Sequence, residues 1–244
     1  MNVRQKLNLD YRGLCENGPI NIVVFGDSVT HGALNGTVNY ETVYWNVLKK
    51  KLNAVRDYMP INMINAGIGG ITATLSLDRI ERDVTSHHPD LVIVCFGLND
   101  VNTEKEDYIS SMRTIFTKCL DCGADVIFMT PNMLNTYVHK ETREDCVKFA
   151  HETYVKQLDG RMDDYMQSAM ALAKEMGVTV CDCYSRWRKL YDSGVDTTEL
   201  LINKINHPTP QMHQLFADML FDTIMGTEEF EANTYADTMY KEDK

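Results

Sequence analysis

Five short apolar runs, separated by stretches with helical periodicity, constrain this chain more than any of its other features. The runs occupy residues 21–25, 61–66, 91–96, 125–129 and 178–183. They are short, rich in valine and isoleucine and bounded by turn residues, which is the pattern of strands buried on both faces. Tyr44, Leu48, Leu52 and Val55 recur at three-to-four spacing after the first run, as do Tyr108, Met112, Ile115 and Cys119 after the third. Residues 141–158 and 162–176 read as one long or two consecutive helices. A last helix is expected just after His207, with Pro208 in its first turn, running through Leu215, Met219 and Phe221. This βαβα alternation predicts an α/β fold: a five-stranded parallel sheet with helices on both faces, joined by right-handed crossovers. Residues 184–204 read as a loop beside the site. The tail, 227–244, has little apolar content to bury and is expected to fray or to cover a neighbouring surface.

Composition narrows the function classes. With 244 residues, 44% hydrophobic and 24% charged, the chain fits a single domain, with a core over about 20–226 and short extensions at both ends. Its net charge of −11 opposes nucleic-acid binding, which needs clustered lysine and arginine to displace counterions. Arg4 and Lys6 precede no apolar run, and no stretch approaches the roughly 18 apolar residues of a membrane span. Seven cysteines, an odd number without an export signal, read as reduced thiols of a cytoplasmic protein. Cys119 and Cys122 with Cys181 and Cys183 could form a thiolate metal site. Core packing is the simpler account, because free cysteine behaves as a small hydrophobe.

Polar residues able to do chemistry follow the strands. Gly26-Asp27-Ser28 succeeds the first run, Gly67-Ile68-Gly69-Gly70 the second and Gly97-Leu98-Asn99-Asp100 the third, with Asn206-His207-Pro208 near the end. In α/β sheets the carboxyl ends of strands are where ligands bind. Ser28 is the candidate nucleophile and His207 the base that a weakly nucleophilic hydroxyl requires. The backbone N–H groups of Ser28 and Gly70 and the amide of Asn99 are candidate oxyanion donors. His31 and His213 are rival bases, read as a pocket-lining and a packing residue. Asp27 and Asp100 read as turn caps rather than metal ligands. Tyr40, Trp45 and Trp187 could wall a site or fill the core. A dinucleotide fingerprint is excluded because Thr72 stands where Gly-x-Gly-x-x-Gly needs its last glycine. The expected chemistry calls for no metal and no organic cofactor.

These four blocks, in this order, resemble the SGNH/GDSL hydrolase superfamily across about 21–224. The resemblance implies a flavodoxin-like three-layer α/β/α sandwich and ester hydrolysis through an acyl-serine. Its functional serine, glycine, asparagine and histidine fall on Ser28, Gly70, Asn99 and His207. The Gly-x-Ser-x-Gly elbow of the α/β-hydrolases is absent, since Thr30 stands at its second glycine. One position departs from the family pattern: Lys204 stands three residues before His207, where an aspartate is usual. Lysine cannot accept from an imidazole N–H. The orienting group is then an amide oxygen of Asn203 or Asn206, a backbone carbonyl, or a carboxylate from elsewhere such as Asp182 or Asp196, which makes a serine-histidine dyad plausible. The substrate expected is a small-molecule ester carrying a small acyl group, acetyl on a carbohydrate above all. Nothing in the sequence announces a long acyl channel or a lipid-facing helix. The alternatives are a lysophospholipase or thioesterase type of acylhydrolase, and a binding domain whose turnover Lys204 has impaired.

Overall fold

The computed structural model describes residues 2–56 and 58–226. The apolar runs are the strands β1 (Ile20–Gly26), β2 (Ile61–Gly67), β3 (Leu91–Cys95), β4 (Asp125–Met129) and β5 (Thr179–Cys181). In chain order the helices are α1 (Val3–Leu7), α2 (Tyr11–Asn17), α3 (Ser28–His31), α4 (Tyr44–Asn53), α5 (Ile80–Asp83), α6 (Lys105–Asp121), α7 (Val147–Leu158), α8 (Arg161–Glu175), α9 (Cys183–Asp192) and α10 (Pro210–Met225). Every strand pairing is parallel, in the order β2-β1-β3-β4-β5. The central strands declare themselves because both faces are covered: Val23, Val24 and Phe25 of β1 and Val92, Ile93 and Val94 of β3 have no exposed surface.

The strand order explains where a site can form. The chain steps from β1 to β2 in one direction and from β3 to β5 in the other, so right-handed crossovers put α4 on one face and α5, α6 and α8 on the other. After β5 the chain returns to pack α10 on α4, while α6 packs on α8. This is the expected three-layer α/β/α architecture. The connections leaving β1 and β3 diverge at the point where the order reverses, opening a crevice at the carboxyl ends of the two strands. Ser28 and Asn99 follow those two strands.

Four local expectations are corrected. Residues 183–192, expected within a loop, form α9. Asp182 accepts the Ser185 N–H at 3.0 Å to cap it, and Cys183, Tyr184 and Trp187 bury one face. The charged residues Arg186, Arg188 and Lys189 hid that face from the sequence reading. The last helix begins not at Pro208 but at Pro210, after Thr209, because Pro208 pairs with Leu201 in an isolated bridge. Residues 141–146 hold only a 3-10 turn, Glu144–Cys146, before α7. The core also extends before residue 20, since Val3 and Leu7 of α1 are buried in it. Lys6, paired with Asp90 at 2.8 Å, and the Val3 N–H, donated to Asp125 Oδ2 at 2.6 Å, fasten α1 to the start of β4 and the turn before β3. The tail 227–244 lies outside the described residues. Among the described residues, no helix is long and apolar enough to cross a membrane.

Candidate active site

Ser28 is the first residue of α3, at the end of β1, and is 7% exposed. Its position requires the glycine before it: a Cβ on Gly26 would lie 2.3 Å from Thr30 Oγ1 and 2.5 Å from the Cys95 carbonyl oxygen. No other residue lets α3 settle this closely against β1 and β3. Asp27 caps the helix by accepting the Val29 N–H on Oδ1 at 2.9 Å. Short as it is, α3 therefore holds Ser28 in one place, with the Ser28 carbonyl accepting from Gly32 and Ala33.

His207 arrives from the far end of the chain. Its Nε2 lies 3.0 Å from Ser28 Oγ, and its Nδ1 lies 2.8 Å from the carbonyl oxygen of Leu34. A carbonyl can only accept, so Nδ1 carries the proton and Nε2 presents its lone pair to the serine hydroxyl. That is the tautomer a general base needs. The loop carrying the imidazole is tightly tied. Asn203 Oδ1 accepts the N–H groups of Ile205, Asn206 and His207 at 2.9–3.1 Å, and Ile202 N–H donates to the His207 carbonyl at 2.8 Å. Asn132 Nδ2 donates to the Asn206 carbonyl at 2.9 Å and the Asn135 N–H to that of Ile205 at 2.9 Å, docking the loop onto the segment after β4.

The candidates for the orienting group are thereby corrected. Of the alternatives, the backbone carbonyl is the one at Nδ1. Asn203 spends its oxygen on the loop's own N–H groups and its Nδ2 on Asn206 Oδ1 at 2.9 Å. Asp182 caps α9 and accepts from Thr130 Oγ1 at 3.2 Å, while Asp196 accepts from Tyr137 Oη at 2.7 Å and the Thr198 N–H at 3.0 Å. Lys204, held at φ +60°, turns its ammonium to Glu199, which also pairs with His139 at 2.9 Å. The sequence reading had no signal for Leu34, because a backbone carbonyl has no residue signature.

The loops after β2 and β3 are drawn to the serine. The Ile68 N–H donates to the Gly26 carbonyl at 3.1 Å, and a Cβ on Gly69 would lie 3.8 Å from Ser28 Cβ. Gly70 is exposed and left-handed at φ +77°, a conformation suited to glycine that turns this loop in front of Ser28. Asn99 Nδ2 donates to the Ile71 carbonyl at 3.0 Å, keeping one amide hydrogen uncommitted, and Asp100 Oδ1 accepts the Ala73 N–H at 2.7 Å. The end of β1 that carries Ser28 is thus tied to the loop of Gly70, and that loop to the one carrying Asn99.

Among the other singled-out residues, His213 is buried and accepts the Tyr44 N–H on Nδ1 at 3.3 Å; burial above all, with His207 nearby, lowers its pKa to about 3. It remains a neutral packing residue stacked on Tyr44. His31 lies beside the opening, 3.2 Å from Tyr40 Oη through Nε2. Trp187 is core, and Trp45 Nε1 donates to the Thr30 carbonyl at 2.9 Å.

Burial lowers the pKa of His207 below its ordinary 6.5, and the bond to Leu34 only partly opposes this. The neutral base therefore persists to lower pH than a free imidazole would. For a neutral ester, the acid limb of kcat/KM should have its midpoint below 6.5. A pH-rate profile whose acid limb has its midpoint above that value would contradict His207 as the titrating base.

A family model described as the GDSL-like Lipase/Acylhydrolase family matches residues 24–215. No curated protein sequence matches the chain significantly. Among solved structures, the acetylxylan esterase Axe2 from Geobacillus stearothermophilus is 20% identical at a TM-score of 0.66, covering 88% of this chain and 97% of its own. Structures of that esterase include catalytic mutants in which a serine or a histidine is replaced by alanine. The lipase/acylhydrolase from Enterococcus faecalis is 22% identical at a TM-score of 0.67, with 88% and 100% covered. LAE5, an alpha/beta hydrolase enzyme from the metagenome of Lake Arreo, Spain, is 21% identical at 0.64, with 84% and 94% covered.

Proposed function

Since the chain belongs to the GDSL-like lipase/acylhydrolase family and is a hydrolase acting on ester bonds, we propose that it is a serine esterase for small acyl esters, acetyl esters of carbohydrates in particular. Ser28 Oγ attacks the ester carbonyl while His207 Nε2 takes its proton. The N–H groups of Ser28 and Gly70 and the free amide hydrogen of Asn99 stabilise the tetrahedral oxyanion. His207 passes its proton to the departing alcohol, then activates water against the acyl-serine, restoring the enzyme. The Leu34 carbonyl holds the imidazole in its productive tautomer throughout. The cycle runs on protein groups and water.

The observation that carries this reading is the 3.0 Å contact between Ser28 Oγ and His207 Nε2, with Nδ1 committed to a group that can only accept. The similarity to an acetylxylan esterase supports the choice of acyl group and of a sugar alcohol. Hydrolysis of p-nitrophenyl acetate, butyrate, octanoate and palmitate by the native chain tests it. The highest kcat/KM on acetate is expected. A maximum at octanoate or palmitate would instead make the chain a long-chain acylhydrolase. No turnover of any of them would make it a binding domain on a hydrolase fold.

A further inference from the structure

Ser28 and His31 lie three residues apart on α3 and so share one face of it. The exposed Gly69 sits against that face: a Cβ there would lie 3.8 Å from Ser28 Cβ and 3.8 Å from His31 Nδ1. The imidazole of His31 therefore borders the same opening as the nucleophile, next to the loop that carries Gly70. Its other nitrogen, Nε2, lies 3.2 Å from Tyr40 Oη, which holds the ring with Nδ1 toward Gly69.

A strip of three aromatic rings leads outward from this point. The His31 and Tyr40 centroids are 6.1 Å apart with their planes at 33°, and those of Tyr40 and Trp45 are 6.5 Å apart at 41°. The backbone builds this strip. Gly32, at φ +97°, ends α3, and a Cβ on it would lie 3.1 Å from the Asn39 carbonyl oxygen and 3.6 Å from Tyr40 Cδ1. The Asn39 N–H donates to the Gly32 carbonyl at 2.9 Å and Ala33 pairs with Val38, so the turn closes and returns Tyr40 against the end of α3. Trp45 is fixed by its bond to the Thr30 carbonyl. Tyr40 nevertheless stays 50% exposed and Trp45 is only partly buried. A large ring that is held in place yet half exposed, beside a nucleophile, gains most when a ligand covers it.

Reach decides which part of an ester meets the strip. An acetyl group ends one carbon beyond the carbonyl that Ser28 attacks, whereas Tyr40 is reached only past the His31 ring. Only the alcohol of a small acyl ester extends that far. The rings offer apolar faces, while His31 Nδ1 and Tyr40 Oη offer polar edges. A sugar ring is divided in the same way, with C–H groups on its faces and hydroxyls around its rim.

We propose that His31, Tyr40 and Trp45 form the surface on which the sugar ring of the leaving alcohol lies, and that Tyr40 is the main determinant of a preference for saccharide esters. The proposal rests on the esterase reading above.

The test compares kcat/KM on an acetylated xylo-oligosaccharide with that on ethyl acetate, whose alcohol is too short to reach Tyr40. Nitrophenyl esters are unsuited to it, because their own ring would stack on the strip. In Tyr40→Ala the ratio of saccharide to ethyl ester should fall about tenfold, chiefly through KM, and Tyr40→Phe, which keeps the ring, should retain most of the native ratio. An unchanged ratio overturns the assignment, whether both rates hold or both fall together. So does a phenylalanine variant no better than alanine, and so does a shift in preference between ethyl acetate and ethyl octanoate in place of the saccharide effect, which would make the strip an acyl wall. Calorimetric binding of the same oligosaccharide to Ser28→Ala, with and without Tyr40→Ala, keeps the question separate from turnover. Loss of binding with the tyrosine supports the proposal; equal binding, or none to Ser28→Ala itself, overturns it. Absence of native turnover on every ester would count against the esterase reading, and the binding result would still decide whether the strip takes a saccharide.

Discussion

Replacing Ser28 with alanine should lower kcat on p-nitrophenyl acetate by about 10^4- to 10^6-fold while leaving the circular dichroism spectrum unchanged. His207→Ala should cost a comparable factor, and the double variant should be no worse than either single one. On the proposed mechanism the two side chains act as one unit: the hydroxyl is a weak nucleophile unless Nε2, 3.0 Å away, takes its proton. Removing either abolishes the same step, so the losses do not add. What survives should be the contribution of the oxyanion donors on the three joined loops, which does not depend on the dyad. A loss of less than tenfold in Ser28→Ala, in an otherwise intact fold, would show that another residue attacks the ester.

The proposed dyad works without the acid that the family resemblance expects at position 204. A carboxylate at Nδ1 fixes the tautomer and stabilises the imidazolium formed during attack. The Leu34 carbonyl does the first at 2.8 Å but brings only a dipole to the second. This agrees with the direction of the His207 pKa, which burial lowers and the carbonyl only partly restores.

The second large effect concerns stability. Asp27 has no exposed surface; its Oδ1 accepts the Val29 N–H, and its Oδ2 has no hydrogen-bond partner. Burial is the main reason its pKa rises from 3.8 to about 7, with nearby Asp100 adding to the rise and the Val29 bond opposing it. Asp100, whose Oδ2 is also unpartnered, is raised to about 6, again chiefly by burial. In the unfolded chain Asp27 ionises near its ordinary value, so the folded state binds more protons across the interval between. The stability that a neutral Asp27 confers is complete below its unfolded pKa and is lost as the pH rises through about 7. Asparagine keeps the Val29 bond and cannot ionise. Relative to the native chain, Asp27→Asn should therefore gain about 2–4 kcal/mol of stability between roughly pH 4 and pH 8, measured by urea unfolding at each. An equal difference at both pH values would mean that Asp27 does not titrate differently in the folded and unfolded states.

Sequence reading and structure part company in an orderly way. The strands were legible because a strand buried on both faces must be apolar throughout, so β1 to β4 appear within a residue or so of their expected bounds. The blocks around Ser28, Gly70, Asn99 and His207 were legible because each follows such a strand or precedes the last helix. Helix α9 was not, since the polar residues on its outer face are as compatible with a loop until Trp187 and Tyr184 are seen to be buried. Asn203 was legible as a polar residue near His207 but not in its role: an amide oxygen can orient an imidazole or gather three backbone N–H groups, and only the loop's path selects the latter.

By itself the sequence determined the order of the elements, the parallel sheet and the residue types brought to its carboxyl edge, because these depend on local apolar pattern and on which side chains carry reactive groups. The tertiary structure alone decided the partner of the base and the burial of the two carboxylates, Asp27 and Asp100, that each leave an oxygen unpartnered. Each of these joins segments remote in the chain, Leu34 meeting a histidine 173 residues away, and the decisive group there is a backbone carbonyl that every residue type possesses.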